Sequence, residues 1–340
     1  MQQHKQASAL LALVSLVLCV ACQTSQPQGT AMHVEARHPG PDGGWDFSTI
    51  DPVHRRLFVS RSNGVTVLDL ASGRVTPLLV AGNRTHVALP VNDGADILVT
   101  DSGSGGAFIA DARTGAIRVP TIATGAKPDA ALVEPTTGLA WVMDNQDGGI
   151  ALIDTRQGRL VGRIAVQGAL ESPVSDGRGK VYITVEDHAE IVVIDARTRA
   201  VSTHYPLGGC EAPTGLAYDS RDQRLVAECA NGVAKIVSAP DGRILASIPI
   251  GPRPDGLVVD MRRNLVFAPT GGDAMMTIID PARMVAVGAV ATRAGARSGA
   301  LDPRTGNVYL PSGEFTPPAT PGARPTLAPG SFQILQIGIR

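Results

Sequence analysis

A motif returns about every 43 residues along most of the chain: an apolar run, an aspartate, a short turn that usually holds glycine, and a second apolar run. The aspartates are Asp69, Asp111, Asp154, Asp195 and Asp280, with Ser238 in the same slot, and the steps are 42, 43, 41, 43 and 42 residues. A second marker, Gly82, Gly125, Gly168, Gly208, Gly251 and Gly295, keeps steps of 43, 43, 40, 43 and 44. A repeat of this length is one four-stranded propeller blade, a unit that cannot bury its own apolar faces and must stack on copies of itself. The sequence therefore predicts an all-β chain with almost no helix after Thr30.

Within a unit the apolar runs are short and rich in β-branched residues, as strands require. In the third unit we expect strands over 130–133, 139–143, 149–153 and 160–165. The turns 111–115 and 154–158 read as type I turns closed by a left-handed glycine, which makes the repeat aspartates turn formers rather than catalysts. Six complete units are followed by three strands (299–302, 307–310, 332–337) and preceded by one (31–37). The sum is a seven-bladed β-propeller of four-stranded antiparallel blades. Its ring closes where the N-terminal strand joins the C-terminal blade, which also hides two strand edges. The segment 314–330, with five prolines and two glycines, breaks the period and should be an irregular loop.

The first thirty residues read as an address. Lys5 precedes an apolar run over 7–20, too short to span a bilayer and of the right length for an export signal. The run ends in Leu18-Cys19-Val20-Ala21-Cys22, which resembles a bacterial lipobox with Cys19 in the usual leucine position. The expectation is a signal peptide over 1–21, lipidation at Cys22, a flexible polar tether over 22–30 and a single propeller domain over 31–340. That places the protein on the periplasmic side of the bacterial envelope, membrane-attached by lipid alone, and monomeric.

Thirty Lys and Arg stand against 31 Asp and Glu, which excludes a globally basic nucleic-acid binder. Aromatic residues, at 4%, are too few for a base-stacking groove. There is no CxxCH for haem, no HxH, HExxH or, beyond the leader, CxxC for a transition metal, and no Gly-x-Ser-x-Gly elbow for a serine hydrolase.

The repeat resembles that of the YVTN-repeat, YncE-like β-propeller family. Gly251-Pro252-Arg253-Pro254-Asp255-Gly256 and Gly125-Ala126-Lys127-Pro128-Asp129 match its opening. Val181-Tyr182-Ile183-Thr184 and Ile97-Leu98-Val99-Thr100 match its second strand, and Ile153-Asp154, Ile194-Asp195 and Ile279-Asp280 its third. The resemblance covers about 31–338 and implies the fold; propellers bind, scaffold and catalyse alike, so it implies no single activity.

In propellers, ligands gather where the connections between blades ring the channel mouth. Counting from each repeat glycine puts Arg84 and His86, Lys127 and Asp129, Glu171 and Ser172, Glu211, Arg253 and Asp255, and Arg297 and Ser298 there, with Trp45 and Asp46 in the first blade. Arg84, Lys127, Arg253 and Arg297 offer an anion site. Asp46, Asp129 and Asp255, with His86, offer oxygen-rich ligation for a divalent cation such as Ca²⁺. Two readings follow: a ligand- or protein-binding scaffold with no cofactor, or a lactonase-like hydrolase using a channel cation as Lewis acid. The acidic stretch 186–190 reads as a solvated loop or a partner epitope. Cys210 and Cys229, the only cysteines beyond the leader, are expected nearly opposite each other across the hairpin of the fifth unit, joined in a disulfide that export would preserve.

Overall fold

The computed structural model describes residues 32–146, 148–316 and 325–339. The expected signal peptide, tether and Cys22 lie outside the described residues. Among them stand seven four-stranded antiparallel sheets, and the sole helical element is one 3₁₀ turn, Asn92–Gly94. No helix there is long and apolar enough to cross a membrane.

In each of the first six blades the strands pair in chain order from the axis outward. The innermost strands are Trp45–Asp51, Thr85–Val91, Pro128–Val133, Leu170–Ser175, Pro213–Asp219 and Val258–Asp260. The last blade runs Ala300–Leu301, Val308–Ser312, Gln333–Ile339 and then Met32–Pro39, so the N-terminal strand supplies its outer edge. Ala300–Leu301 also packs against Trp45–Asp51, closing the ring.

The burial pattern follows from this stacking. Middle strands such as Gly64–Asp69 and Lys180–Val185 are buried on both faces, because a neighbouring blade covers each. Outer strands keep little: Ala200–Pro206 buries only Tyr205. A separate apolar cluster fills each junction between blades. Phe58, Ile97 and Phe108 lie between the first two, and Leu57, Tyr309, Phe332 and Ile334 between the last and the first.

The repeat aspartates cap turns. Asp69 Oδ1 accepts the amides of Ala71 and Ser72 at 3.1 and 2.7 Å, and Asp195 Oδ1 those of Arg197 and Thr198 at 2.9 and 2.8 Å. A second set of acids does the same at the end of the innermost strands: Asp51, Glu134, Asp219, Asp260 and Asp302.

Two local expectations are corrected. The segment 314–330 is not wholly irregular, since Phe315–Thr316 pairs with Thr326–Leu327 in a small hairpin. Cys210 precedes the innermost strand of the fifth blade, as expected, but it is not the ladder position opposite Cys229. Cys229 faces Pro213 in the ladder, and Cys210 lies in the preceding loop, where its amide turns back onto Leu207 O at 2.9 Å. The loop, not the hairpin register, brings the two Cα atoms to 5.3 Å, and the disulfide joins them there.

Candidate functional site at the channel mouth

The innermost strands all enter the ring from the same end. Five residues before the residue that opens the turn after each innermost strand (Asp51, Val91, Glu134, Asp176, Asp219, Asp260 and Asp302) stands one side chain at the mouth: Asp46, His86, Asp129, Glu171, Thr214, Asp255 and Arg297. Counting back from the turn keeps register; counting forward from the repeat glycine does not, because the loops between blades differ in length. That drift is why Glu211 was expected in the fifth position. Glu211 is exposed on the disulfide loop, and Thr214 takes its place.

His86 stands at the centre of the arrangement. Its Nδ1 is 2.6 Å from Asp46 Oδ2 and 3.5 Å from Asp129 Oδ1, and its Nε2 is 3.0 Å from Ser102 Oγ. Ligand atoms of Asp46, His86 and Asp129 all lie within 4.8 Å of one another. Asp129 Oδ2 is 4.0 Å from Lys127 Nζ, which donates to Asn145 Oδ1, and Asn145 Nδ2 donates to Glu171 Oε1 at 2.5 Å. On the other flank Arg297 Nε donates to Asp255 Oδ2 at 2.7 Å, and Arg297 Nη2 lies 4.0 Å from Asp46 Oδ1. The expected cation set is thus redistributed: Asp255 is clamped by Arg297, and His86 sits between the other two aspartates. Arg84 and Arg253 stand on the exposed rim. Ser172 is buried, its amide on Thr184 Oγ1, and Ser298 Oγ donates to Asp46 O at 3.0 Å.

So many acids in one concavity oppose ionisation. Burial, then the charges of Asp46 and Asp255, push Asp129 up to about 7 even though His86 and Lys127 favour its charged form. Burial and the charges of Asp129, Asp255 and Glu186 push Glu171 up to about 9. Asp255 rises to about 6 through burial and Asp46, against the pull of Arg297. Burial lowers His86, but the Asp46 hydrogen bond and the charges of Asp129 and Asp46 outweigh it, and the imidazole ends above its usual value. Glu186 thus adds its charge to the mouth. In the same stretch Asp187 caps the amide of Ala169 at 2.8 Å and Glu190 meets His204 at 2.8 Å.

Asp46, His86 and Ser102 form a relay of the kind serine hydrolases use, although no elbow motif announces it. Its surroundings do not suit that chemistry. The amides of Ser102 and Gly103 are spent on Arg84 O and Asn83 O, leaving neither to stabilise an oxyanion. The second carboxylate at His86 Nδ1 instead suits an imidazole that ligates through Nδ1 and is oriented by Nε2–H on Ser102.

Glu228 is an acid that sequence reasoning missed. It is fully buried in a second-strand slot that elsewhere holds Thr100 and Thr184. Those hydroxyls accept the amides of Val87 and Ser172 and donate to the next blade's Asp129 O and Thr214 O. Glu228 approaches the amides of Gly215 and Asp255 without completing a hydrogen bond, and burial holds its pKa well above the usual range. A Cβ at Gly215 would lie 2.2 Å from Glu228 Oε1 and 2.8 Å from Leu257 N. Gly215→Ala should therefore cost about 2–3 kcal/mol, as overpacked cores do, and Glu228→Thr in the same chain should recover part of it. Urea unfolding checks this, and an unchanged midpoint for Gly215→Ala would contradict it.

No family model matches the chain, and no curated protein matches it. Solved structures do match, 1648 chains of them. One is hydrazine synthase of Kuenenia stuttgartiensis, at TM-score 0.70 and 18% identity, covering 84% of this chain and 96% of that one. Likeness at that identity concerns the propeller fold alone, and a fold so widely shared selects no activity.

Proposed function

We propose that this chain is an exported propeller of the YVTN-repeat, YncE-like kind, held to the envelope by lipid at Cys22, which binds a small ligand at its channel mouth through a divalent cation. One observation carries the reading: a nitrogen and two carboxylate oxygens converge at His86, Asp46 and Asp129 amid further partly buried acids whose mutual repulsion a cation would relieve. The mixed donor set suits Mn²⁺ or Zn²⁺ better than the Ca²⁺ expected of oxygen ligands alone. The metal-assisted hydrolase is the second reading. It is favoured by the donor count: three protein ligands would leave positions on the cation open for a water and a substrate oxygen.

Calorimetric titration with Mn²⁺ and Zn²⁺ tests the proposal. The wild-type chain should bind one ion. Asp46→Asn, His86→Ala and Asp129→Asn should each weaken it on the order of a hundredfold or more, and Ser102→Ala by about 10–100-fold through loss of ring orientation. Equal affinity in the wild type and all three ligand variants would refute the site. Turnover of simple lactones by the loaded protein, lost in Asp129→Asn, would select the hydrolase.

A further inference from the structure

Beside the carboxyl cluster, between the sixth and seventh blades, the mouth opens into a pocket of about 660 Å³, within the size range of small-molecule sites. Arg253 and Arg297 line it together with Gly271, Gly272, Gly295 and Phe315.

The two arginines differ in what they have left to offer. Arg297 spends Nε on Asp255 and Nη2 on Trp45 O at 3.3 Å. The guanidinium of Arg253 has no hydrogen-bond or ion-pair partner among the described residues, although its stem is seated, with Cδ 3.3 Å from where a Cβ on Gly272 would lie. The nearby acids are already engaged: Asp255 with Arg297, Asp273 with Thr270 Oγ1 at 2.6 Å, and Glu314 with Arg293. The pocket thus presents one uncommitted positive charge.

Its other wall is apolar and aromatic. Phe315, on the small hairpin, is 40% exposed and packs on Trp45 with ring centroids 5.9 Å apart. Gly295, at φ +74°, is needed for that contact, since a Cβ there would meet Phe315 at 2.7 Å and Trp45 at 2.8 Å. The hairpin is fixed by the Arg293–Glu314 pair and by Gly313 N on Ala294 O at 3.2 Å, so the aromatic wall is held in place. Trp45 Nε1, buried beneath it, has no hydrogen-bond partner.

We propose that this pocket takes a small organic carboxylic acid with a flat, apolar body. The carboxylate pairs with the Arg253 fork, and the body lies against Phe315. Arg297 joins the pocket to Asp46 and Asp255, so the bound acid sits one side chain from the cluster around His86. The inference deepens the ligand-binding reading and rests on it only for the acid's place beside a cation.

Benzoate is the probe, with benzamide as its neutral counterpart, titrated by calorimetry in EDTA and again with Mn²⁺. Benzoate should bind one site in EDTA and benzamide at least tenfold more weakly. Arg253→Gln and Phe315→Ala, checked for an unchanged melting midpoint, should each weaken benzoate roughly tenfold or more. No saturable benzoate binding would overturn the proposal, as would equal binding of benzamide or indifference to Arg253→Gln. Binding that depends on Arg253 in EDTA, with no Mn²⁺ uptake in the separate titration, would uphold the pocket while refuting the cation.

Discussion

A chain shortened to begin at Gly40 should lose cooperative folding. Removing 1–39 takes away the strand Met32–Pro39, which pairs with Gln333–Ile339 over seven residue pairs, and with it the buried Met32. Each ladder hydrogen bond is worth about 0.5–1.5 kcal/mol net, and a domain's whole stability is only about 5–15 kcal/mol. The loss also bares a strand edge open to pairing with another chain. The segment after the strand shows how firmly the ring is fastened: Asp42 accepts the amides of Gly330 and Phe332, and Arg61 binds Pro41 O at 2.7 Å and Gly44 O at 2.9 Å. We expect a broad, low thermal transition and concentration-dependent aggregation, seen by calorimetry and light scattering. A sharp transition at the full-length midpoint would show that the closing strand is dispensable.

The second large effect links acidity, cation and stability. Asp255, Asp129 and Glu171 hold protons up to about pH 6, 7 and 9 in the folded state. In the unfolded chain they release them near pH 4. The folded state therefore binds more protons across this window, and stability falls as pH rises from 5 to 9. His86 acts in the same sense: its raised pKa contributes stability below its unfolded value that is lost as pH climbs through the folded one. The turn aspartates Asp69, Asp111 and Asp195 have lowered pKa values, so their contribution fades only on the acid side.

A bound cation would take the place of the protons. At a hundred times its dissociation constant it would add about 2.7 kcal/mol. At about 2–4 °C per kcal/mol, the midpoint at pH 8 should rise by roughly 5–10 °C. At pH 5 the same ion should do almost nothing, and binding at pH 7 should release protons into the buffer. Thermal melts with Mn²⁺ and with EDTA at the two pH values provide the check. Equal shifts at both, or none at pH 8, would mean that the acids carry protons for some purpose other than a cation.

The blade count and ring closure were legible because both rest on period, and a repeat that must stack to bury its faces leaves few alternatives. The mouth was legible in part. Asp46, His86, Asp129, Asp255 and Arg297 occupy equivalent strand positions, so spacing found them. Spacing could not pair Asp255 with Arg297 or bring His86 between two aspartates, because side-chain reach across the channel has no sequence period. Ser102 and Asn145 come from connections between the second and third strands, a different part of the repeat. Glu228 is hidden inside an apolar strand where the neighbouring blades use threonine, and only Gly215, thirteen residues earlier, betrays the space it needs. Cys210 shows the converse: the pairing was readable from the cysteine count and an expected export signal, while the loop that achieves it was not.

The most direct measurement is an anomalous difference map from a crystal of the protein grown with Mn²⁺ at pH 8, with X-ray fluorescence to identify the element. The account predicts one strong peak bound by Asp46 and Asp129 oxygens and His86 Nδ1 at about 2.0–2.3 Å. In that crystal His86 Nε2 would remain on Ser102, and Asp255 on Arg297. A map with no peak among these three residues, the His86–Asp46 hydrogen bond still closed, would contradict it.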